Sequence, residues 1–350
     1  MIEKLELFNF RCYDYKKIDL KTGINIIVGD NASGKSSLIE AIHVLGTCKS
    51  FRTHLDKDMI MFDKDFYSIF SIVRDKSITL SYLNGEKKIN IDNNYVKTLS
   101  KYIGTLNVVL FSPEDLNIIK GEPKNRRKFI DVCLSQIDKE YLETLIDYNK
   151  ILKERNELLK KIEFDGRNLG KNDDILLELY TDKLIEKAYV IVLKRKEFLE
   201  QLNDEVDHKM KLMKEDEKVS LIYKPSVELI NIGEEIKKNK LMDLYCKRSS
   251  VGPHKDDFEV VLNNKKASSF SSQGQQRTIT IAIKLAYAEI LKKLNKSCII
   301  MLDDVYGELD QKRQKDLIKM IDVNNQVIIS TTTLDCIEKN ILEKSNIIRI

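Results

Sequence analysis

The strongest constraint on this chain lies near its start. Gly29 to Ser36 read Gly-Asp-Asn-Ala-Ser-Gly-Lys-Ser, directly after the apolar run Ile24-Asn25-Ile26-Ile27-Val28. This is the spacing of a phosphate loop, G-x-x-x-x-G-K-[ST], and it stands in the context that loop requires. A short buried strand feeds a glycine turn, and the turn opens a helix whose apolar residues are Leu38, Ile39, Ile42 and Leu45. Backbone N–H groups of Gly29, Asp30, Asn31, Ala32, Ser33 and Gly34, with the positive end of the helix, form a cradle for a polyphosphate. Lys35 is placed to reach the β- and γ-phosphates, and the Ser36 hydroxyl to ligate Mg²⁺. The pattern predicts an α/β fold that binds a nucleoside triphosphate with its magnesium.

Two stretches near the C-terminus extend this reading. Cys298-Ile-Ile-Met-Leu302 is a continuous apolar run ending in Asp303-Asp304, as a buried parallel strand looks when it delivers carboxylates to its edge. Phosphoryl-transfer sites of this type need such an acid for Mg²⁺, the role expected of Asp303. Asp304 would orient or deprotonate the attacking water. Upstream, Ser271-Ser272-Gln273-Gly274-Gln275-Gln276-Arg277 precedes an amphipathic helix carrying Ile279, Ala282, Ile283, Ala286, Tyr287, Ile290, Leu291 and Leu294. A serine and a glycine before a helix start form a second anion site.

Between these motifs the character of the chain changes. Residues 2–110 hold short apolar or alternating segments at 2–8, 15–20, 24–28, 68–74, 78–83, 88–91 and 106–111, with turns at Asn84-Gly85 and Asp92-Asn93-Asn94. They predict ATPase-core strands followed by an antiparallel β subdomain. From about 125 to 245 long charged helices take over. Leu145, Asn149, Leu152, Asn156 and Leu159 form an a/d track, and Leu177, Leu184, Ile191 and Phe198 repeat every seven. With a glycine turn over 165–170, this predicts an antiparallel helical hairpin, its first helix on the order of 35–40 Å long at 1.5 Å per residue. A compact helical subdomain is the other reading. The expected domains are therefore 1–121, the first part of the head; 122–245, the helical arm; and 246–350, the rest of the head.

Hydrophobic content of 42% suffices for a core, and 33% charged residues imply a large solvated surface. No apolar run approaches the roughly 18 residues of a membrane span, and the N-terminus begins as a strand, so no membrane contact or signal peptide is expected. Six scattered cysteines, at 12, 48, 133, 246, 298 and 336, form no C-x-x-C pair and read as reduced residues of a cytoplasmic protein. Net charge is only +4, so any DNA contact must come from local patches. Lys124, Arg126 and Arg127 form one, with smaller clusters at Lys237-Lys238, Lys247-Arg248 and Lys265-Lys266. His254 has no second histidine at ligand spacing and reads as part of a structural turn.

The Ser272-Gln273-Gly274-Gln275 stretch resembles the L-S-G-G-Q signature of ABC ATPases, with Gln273 replacing a glycine. The whole ordered set resembles the RecF family, an ABC/SMC-type ATPase head with a short arm. Supporting stretches are Phe8-Asn9-Phe10-Arg11, Lys49 to Thr53, Val109 to Leu116, Pro123 with Arg126-Arg127, Gly252 to Asp257, Gly307 to Asp310 and Ser330 to Thr333. The resemblance implies a homodimer closed by ATP, in which the signature serine of one subunit caps the γ-phosphate held by the other. Asp310 would cross the same interface, and Thr331 or Thr332 would stand where many relatives place a γ-phosphate-sensing histidine. Arg52 matches an arginine that couples DNA to ATP in SMC-like heads.

The implied function is ATP-dependent binding of duplex DNA at single-strand gaps or junctions in recombinational repair, helping to load recombinase, with the RecR and RecO mediators as partners. Two features depart from the superfamily pattern. Asp304 is one methylene shorter than the usual glutamate, which predicts slow turnover, and Gly307 stands where serine is common. An SMC-like DNA-bridging scaffold is an alternative against which the short arm argues. A transporter-type ABC ATPase is another, but it would lack the arm and hold its signature closer to the phosphate loop.

Overall fold

Strands along the chain are set by two different apolar patterns. The computed structural model describes residues 1–164, 169–213, 217–306, 311–321, 325–335 and 337–350. In chain order come β1 (Ile2–Phe10), β2 (Tyr13–Asp19), β3 (Ile24–Val28), β4 (Phe66–Val73), β5 (Lys76–Leu83), β6 (Glu86–Ile91) and β7 (Asn94–Tyr95). They are followed by β8 (Asn107–Phe111), β9 (Val219–Lys224), β10 (Asp257–Leu262), β11 (Lys265–Lys266), β12 (Cys298–Leu302), β13 (Gln326–Thr331) and β14 (Asn346–Arg349). The chain clusters into two units, Met1–Asp115 with Thr280–Ile350, and Leu116–Ile279.

Within the first unit, strands that alternate make one sheet and strands that are apolar throughout make the other. β4 alternates buried and exposed residues along its length, as a sheet with one wet face requires. It belongs to a six-stranded antiparallel sheet of order β2-β1-β4-β5-β6-β7. By contrast β8, β12 and β13 are buried at every residue, the mark of parallel strands covered on both faces. They form a five-stranded parallel sheet of order β14-β3-β13-β12-β8. The helix Lys35–Thr47 is buried nearly all round. Its Leu38, Ile39 and Ile42 join Leu5 and Leu7 of β1, Ile69 of β4 and Val108 of β8 in one core cluster. One polar side chain in the interior is held by backbone partners. Fully buried Gln326 accepts from the Ile2 amide at 2.8 Å and donates to the Ile2 carbonyl at 2.6 Å.

Register decides where the chemistry emerges. Leu302 of β12 pairs with Ile329 of β13, and Thr331 of β13 pairs with Val28 of β3. The carboxyl ends of these parallel neighbours are therefore level, the place where open α/β sheets bind ligands. Gly29, Asp303 and Thr332 all leave the sheet at that edge.

The second unit joins the helices Pro123–Ile137, Lys139–Lys161 and Lys171–Leu212 to a small sheet of order β11-β10-β9. The two longer helices are antiparallel: Tyr141 meets Arg195 at 3.1 Å, while Arg155, later on the first helix, meets Thr181, earlier on the second, also at 3.1 Å. On the 42-residue helix the expected leucine track is buried. Thr181, Ala188, Arg195 and Leu202 fill the alternate heptad positions, and all are buried.

The track on Lys139–Lys161 is displaced from the expected one. Asn149 is exposed, and the buried stripe runs through Tyr141, Thr144, Tyr148, Arg155 and Leu159. The cause is electrostatic: Arg155 turns inward to Asp243 and Ser249, each at 2.7 Å. The hairpin is built into a compact unit, since Ser249, Asp243 and the turn at Gly252 to Asp256 bond to it. Residues 246–279, expected with the C-terminal part of the head, cluster with these helices because β10 pairs along its whole length with β9. The expected turn over 165–170 lies largely outside the described residues.

Candidate nucleotide-binding site

The loop from Gly29 to Ser36 has the backbone its sequence demands. Gly34 sits at φ +104°, and a Cβ there would stand 2.3 Å from the Tyr13 hydroxyl, so only glycine fits. Lys35 is 4% exposed, and its ammonium bridges the loop by donating to the carbonyls of Gly29 and Asp30 at 2.9 and 2.8 Å. The Ser33 hydroxyl is buried with no hydrogen-bond partner among the described residues. Asp30 and Asn31 are exposed at the turn.

Asp303 leaves β12 opposite this loop and is buried. Burial pushes its carboxyl above the usual carboxylate range. A hydrogen bond from Ser330 opposes that rise, neighbouring Asp304 adds to it, and a hydrogen bond from Ser36 and the charge of Arg52 oppose it. The two expected magnesium ligands, Ser36 and Asp303, are therefore close enough to influence each other electrostatically. Asp304 is exposed and lies at φ +54°, an uncommon conformation for a residue other than glycine. Thr331 is buried and its hydroxyl donates to the Thr333 carbonyl at 2.9 Å. Thr332 is exposed at the sheet edge. Of the two threonines, Thr332 is the one open to a ligand.

These residues fit a magnesium-bound triphosphate on three grounds: an unpartnered buried hydroxyl, a cradle that side chains at Gly29 and Gly34 would fill, and a hydroxyl–carboxylate pair of the expected donor type. The signature stretch is local to the second unit. Ser272 caps the helix Gln273–Lys293 in a reciprocal box: its hydroxyl accepts from the Gln275 amide at 3.2 Å, and its amide donates to the Gln275 side chain at 2.7 Å. Gln275 also donates to Glu217 at 2.5 Å. Ser272 and Gln273 are exposed, and Gly274 is half-buried in the first turn. Asp310 and Gly307 lie outside the described residues.

The expected DNA contacts divide into two groups. Lys124 is exposed, and the Arg52 side chain is 43% exposed, 3.5 Å from Glu40. Arg126 is committed within its own unit by a fork to Asp257 at 2.6 and 2.9 Å, and Arg127 donates to the Asp256 carbonyl at 2.5 Å. His254 is part of the fold: it bonds the Tyr148 hydroxyl at 2.6 Å and the Ser249 carbonyl at 3.1 Å, and burial pushes its pKa down to about 4.

Sequence reasoning missed two residues near the loop. Glu40, fully buried on the helix that follows it, accepts a fork from Arg11 at 2.8 and 2.6 Å and a bond from Ser50 at 2.5 Å. A lone glutamate among apolar helix residues, with arginines at 11 and 52, was the available signal. Ser330, fully buried, bonds both Asp303 and the Asp304 backbone, and nothing local in the sequence marks it.

The parallel sheet, its glycine loop and the acids at its edge define a P-loop ATPase head of the ABC/SMC type. The family model described as the RecF/RecN/SMC N-terminal domain matches residues 1–349. A DNA replication and repair protein RecF of Oceanobacillus iheyensis is 38% identical, over 100% of this chain and 98% of its own. The RecF protein of Bacillus thuringiensis is 35% identical, over 100% and 96%. A solved structure described as the recombination mediator protein RecF-ATP in the RecFOR pathway superposes with a TM-score of 0.88 at 34% identity, covering 96% of this chain and 93% of that one. An Smc head bound to the C-winged helix domain of ScpA, 17% identical, shares the fold at a TM-score of 0.52, covering 99% and 94%. The chain belongs to the RecF family.

Proposed function

We propose that this protein is an ATP-timed DNA clamp of recombinational repair. It binds ATP with Mg²⁺, closes as a homodimer around the nucleotides, and in that state holds duplex DNA at single-strand gaps or junctions, where it helps load recombinase. The observation that carries this reading is the buried ammonium of Lys35, held by the Gly29 and Asp30 carbonyls of the glycine loop at 2.9 and 2.8 Å. The solved RecF structure with ATP supports the choice of nucleotide. The family supports the RecR and RecO mediators as partners and a cytoplasmic setting, and among the described residues no helix is long and apolar enough to cross a membrane.

Bound magnesium would neutralise charge on the β- and γ-phosphates. The residues of the chain do the rest. Lys35 exchanges the carbonyls of Gly29 and Asp30 for phosphate oxygens. Ser36 and Asp303 hold the ion, Asp304 takes a proton from the attacking water, and Thr332 meets the γ-phosphate. Ser272, Gly274 and Gln275 of one subunit cap the nucleotide of the other, with Asp310 crossing the same interface. The short reach of Asp304 keeps hydrolysis slow, and loss of the γ-phosphate contacts opens the dimer. Lys124 and Arg52 carry the DNA contact more directly than Arg126 and Arg127, which are already bonded.

Fluorescence anisotropy of a labelled gapped duplex, with ATP, with ADP and without nucleotide, tests the proposal. The expected result is tight binding with ATP alone, tightest for Asp304→Asn, in which ATP persists. Equal weak binding in every state would remove the clamp. Turnover well above about 10 s⁻¹ without DNA, the ordinary enzyme median, would remove the slow timing.

A further inference from the structure

Ser330 occupies the central strand of the parallel sheet, between the strand that ends in the phosphate loop and the strand that ends in the two acids. Its backbone pairs with Ile27 of β3, and its hydroxyl faces the end of β12. Three bonds meet at or next to this point. The Ser330 hydroxyl lies 2.9 Å from Asp303 Oδ1, closer than to Asp304 Oδ1 at 3.4 Å or the Leu302 carbonyl at 3.5 Å, so its single proton goes to Asp303. The same oxygen accepts the Asp304 amide at 2.9 Å. One residue on, the Thr331 carbonyl receives the Gly29 amide at 3.4 Å, the first amide of the loop.

The bond to the Asp304 amide has a specific consequence. Asp304 stands at φ +54°, a conformation uncommon for a residue other than glycine and kept where its surroundings hold it. The hydroxyl of Ser330 is the partner that pins this backbone, and it simultaneously orients the neighbouring carboxylate. A residue buried to 0% exposure with an apolar role would have no need of the hydroxyl.

We infer that Ser330 is a positioning residue for hydrolysis: its hydroxyl aims the Asp303 carboxylate at the metal and fixes the backbone turn that presents Asp304 to water. This rests on the ATPase reading above and adds a residue to it. Ser330 is fully buried and acts through the two acids.

The test uses the full chain as wild type, Ser330→Ala, Ser330→Thr, Asp304→Asn and the Ser330→Ala/Asp304→Asn double variant. Three quantities are read: ATP turnover, Mn²⁺ affinity of the ATP-bound protein by electron paramagnetic resonance, and melting temperature. Ser330→Ala is expected to lower kcat and to weaken Mn²⁺ binding each about tenfold, near the lower end of what a hydrogen bond to a charged group supplies. ATP half-saturation should change by less than about twofold, and the melting temperature should fall by a few degrees as the Asp304 amide loses its acceptor. Ser330→Thr should restore most of the Mn²⁺ affinity. In the Asp304→Asn background the turnover loss at saturating Mg²⁺ should disappear, because the presented carboxylate is gone, while the Mn²⁺ loss should persist.

Unchanged Mn²⁺ affinity in Ser330→Ala would overturn the inference. So would turnover losses that simply multiply in the double variant. If the wild type hydrolyses no ATP, the ATPase reading falls, and the Mn²⁺ titration still decides the role of Ser330. If the threonine methyl proves too large and lowers the melting temperature, the alanine series decides alone.

Discussion

The nucleotide end of the first unit and the polar core of the second both bury charge, and they use it in opposite ways. In the second unit Arg195, 3% exposed at its side chain, is met by Asp131 at 2.8 Å, Asp256 at 3.2 Å, the Pro253 carbonyl at 2.7 Å and the Tyr141 hydroxyl at 3.1 Å. Tyr223 donates to the same Asp256, and Arg155 is met by Asp243, Ser249 and Thr181, with its Nη2 alone left unpartnered among the described residues. At the loop, by contrast, Lys35 rests on two carbonyls, Ser33 has an unpartnered hydroxyl, and Asp304 and Thr332 face outward. Charges closed off by protein partners specify a fold. Charges held by replaceable partners are poised for a ligand.

Breaking the closed network should have the largest effect. Arg195→Ala leaves Asp131 and Asp256 without their cation, and removing one partner from a buried pair costs about 3–5 kcal/mol. Urea unfolding should show that loss. A change under about 1 kcal/mol would mean that the network is ornamental. At the open end the effect should fall on rate and not on stability. Asp304→Asn should lower hydrolysis about 100-fold, the contribution of a positioned general base, and shift unfolding by less than about 0.5 kcal/mol. Steady-state ATPase and urea titrations together would expose a structural role if both fell.

A smaller effect comes from His254, which couples the closed network to pH. Its pKa is pushed from 6.5 down to about 4 by burial. The unfolded state therefore binds the proton first, and stability rises with pH across that window. The contribution is complete above pH 6.5 and is lost as pH falls through about 4. It amounts to about 2 kcal/mol at 1.36 kcal/mol per unit, after discounting partial solvent access. Denaturant titrations of wild type and His254→Asn between pH 4 and 7 should show a shallower acid slope in the variant. Parallel slopes would place the acid sensitivity elsewhere.

What could be read in the sequence follows the same division. The phosphate loop and the strand before Asp303-Asp304 were legible because their residues are contiguous and their chemistry is local. So was the seven-residue repeat from Leu177 to Phe198. The helix before it misled, because Asn149 fits an a/d track by spacing, and Arg155 is drawn inward by Asp243, a partner distant in sequence. Arg126 looked like a free cation for the same reason: its forked partner Asp257 arrives from a strand distant in sequence. Ser330 was invisible as a functional residue, since a buried serine in an apolar strand acquires meaning only when the register sets it opposite Asp303.

The order of strands in the parallel sheet carries a consequence for biosynthesis. β3 delivers the phosphate loop early in the chain, yet both strands that flank it, β13 and β14, are made at Gln326–Thr331 and Asn346–Arg349. Gln326 also supplies the side chain that clamps Ile2. On the ribosome the complete glycine loop would therefore emerge long before it has a seat. Such distant pairing slows folding and leaves apolar edges waiting for partners. A nascent chain stalled ahead of Gln326 should carry the loop and yet hold no nucleotide, so ATP capture would await the two flanking strands.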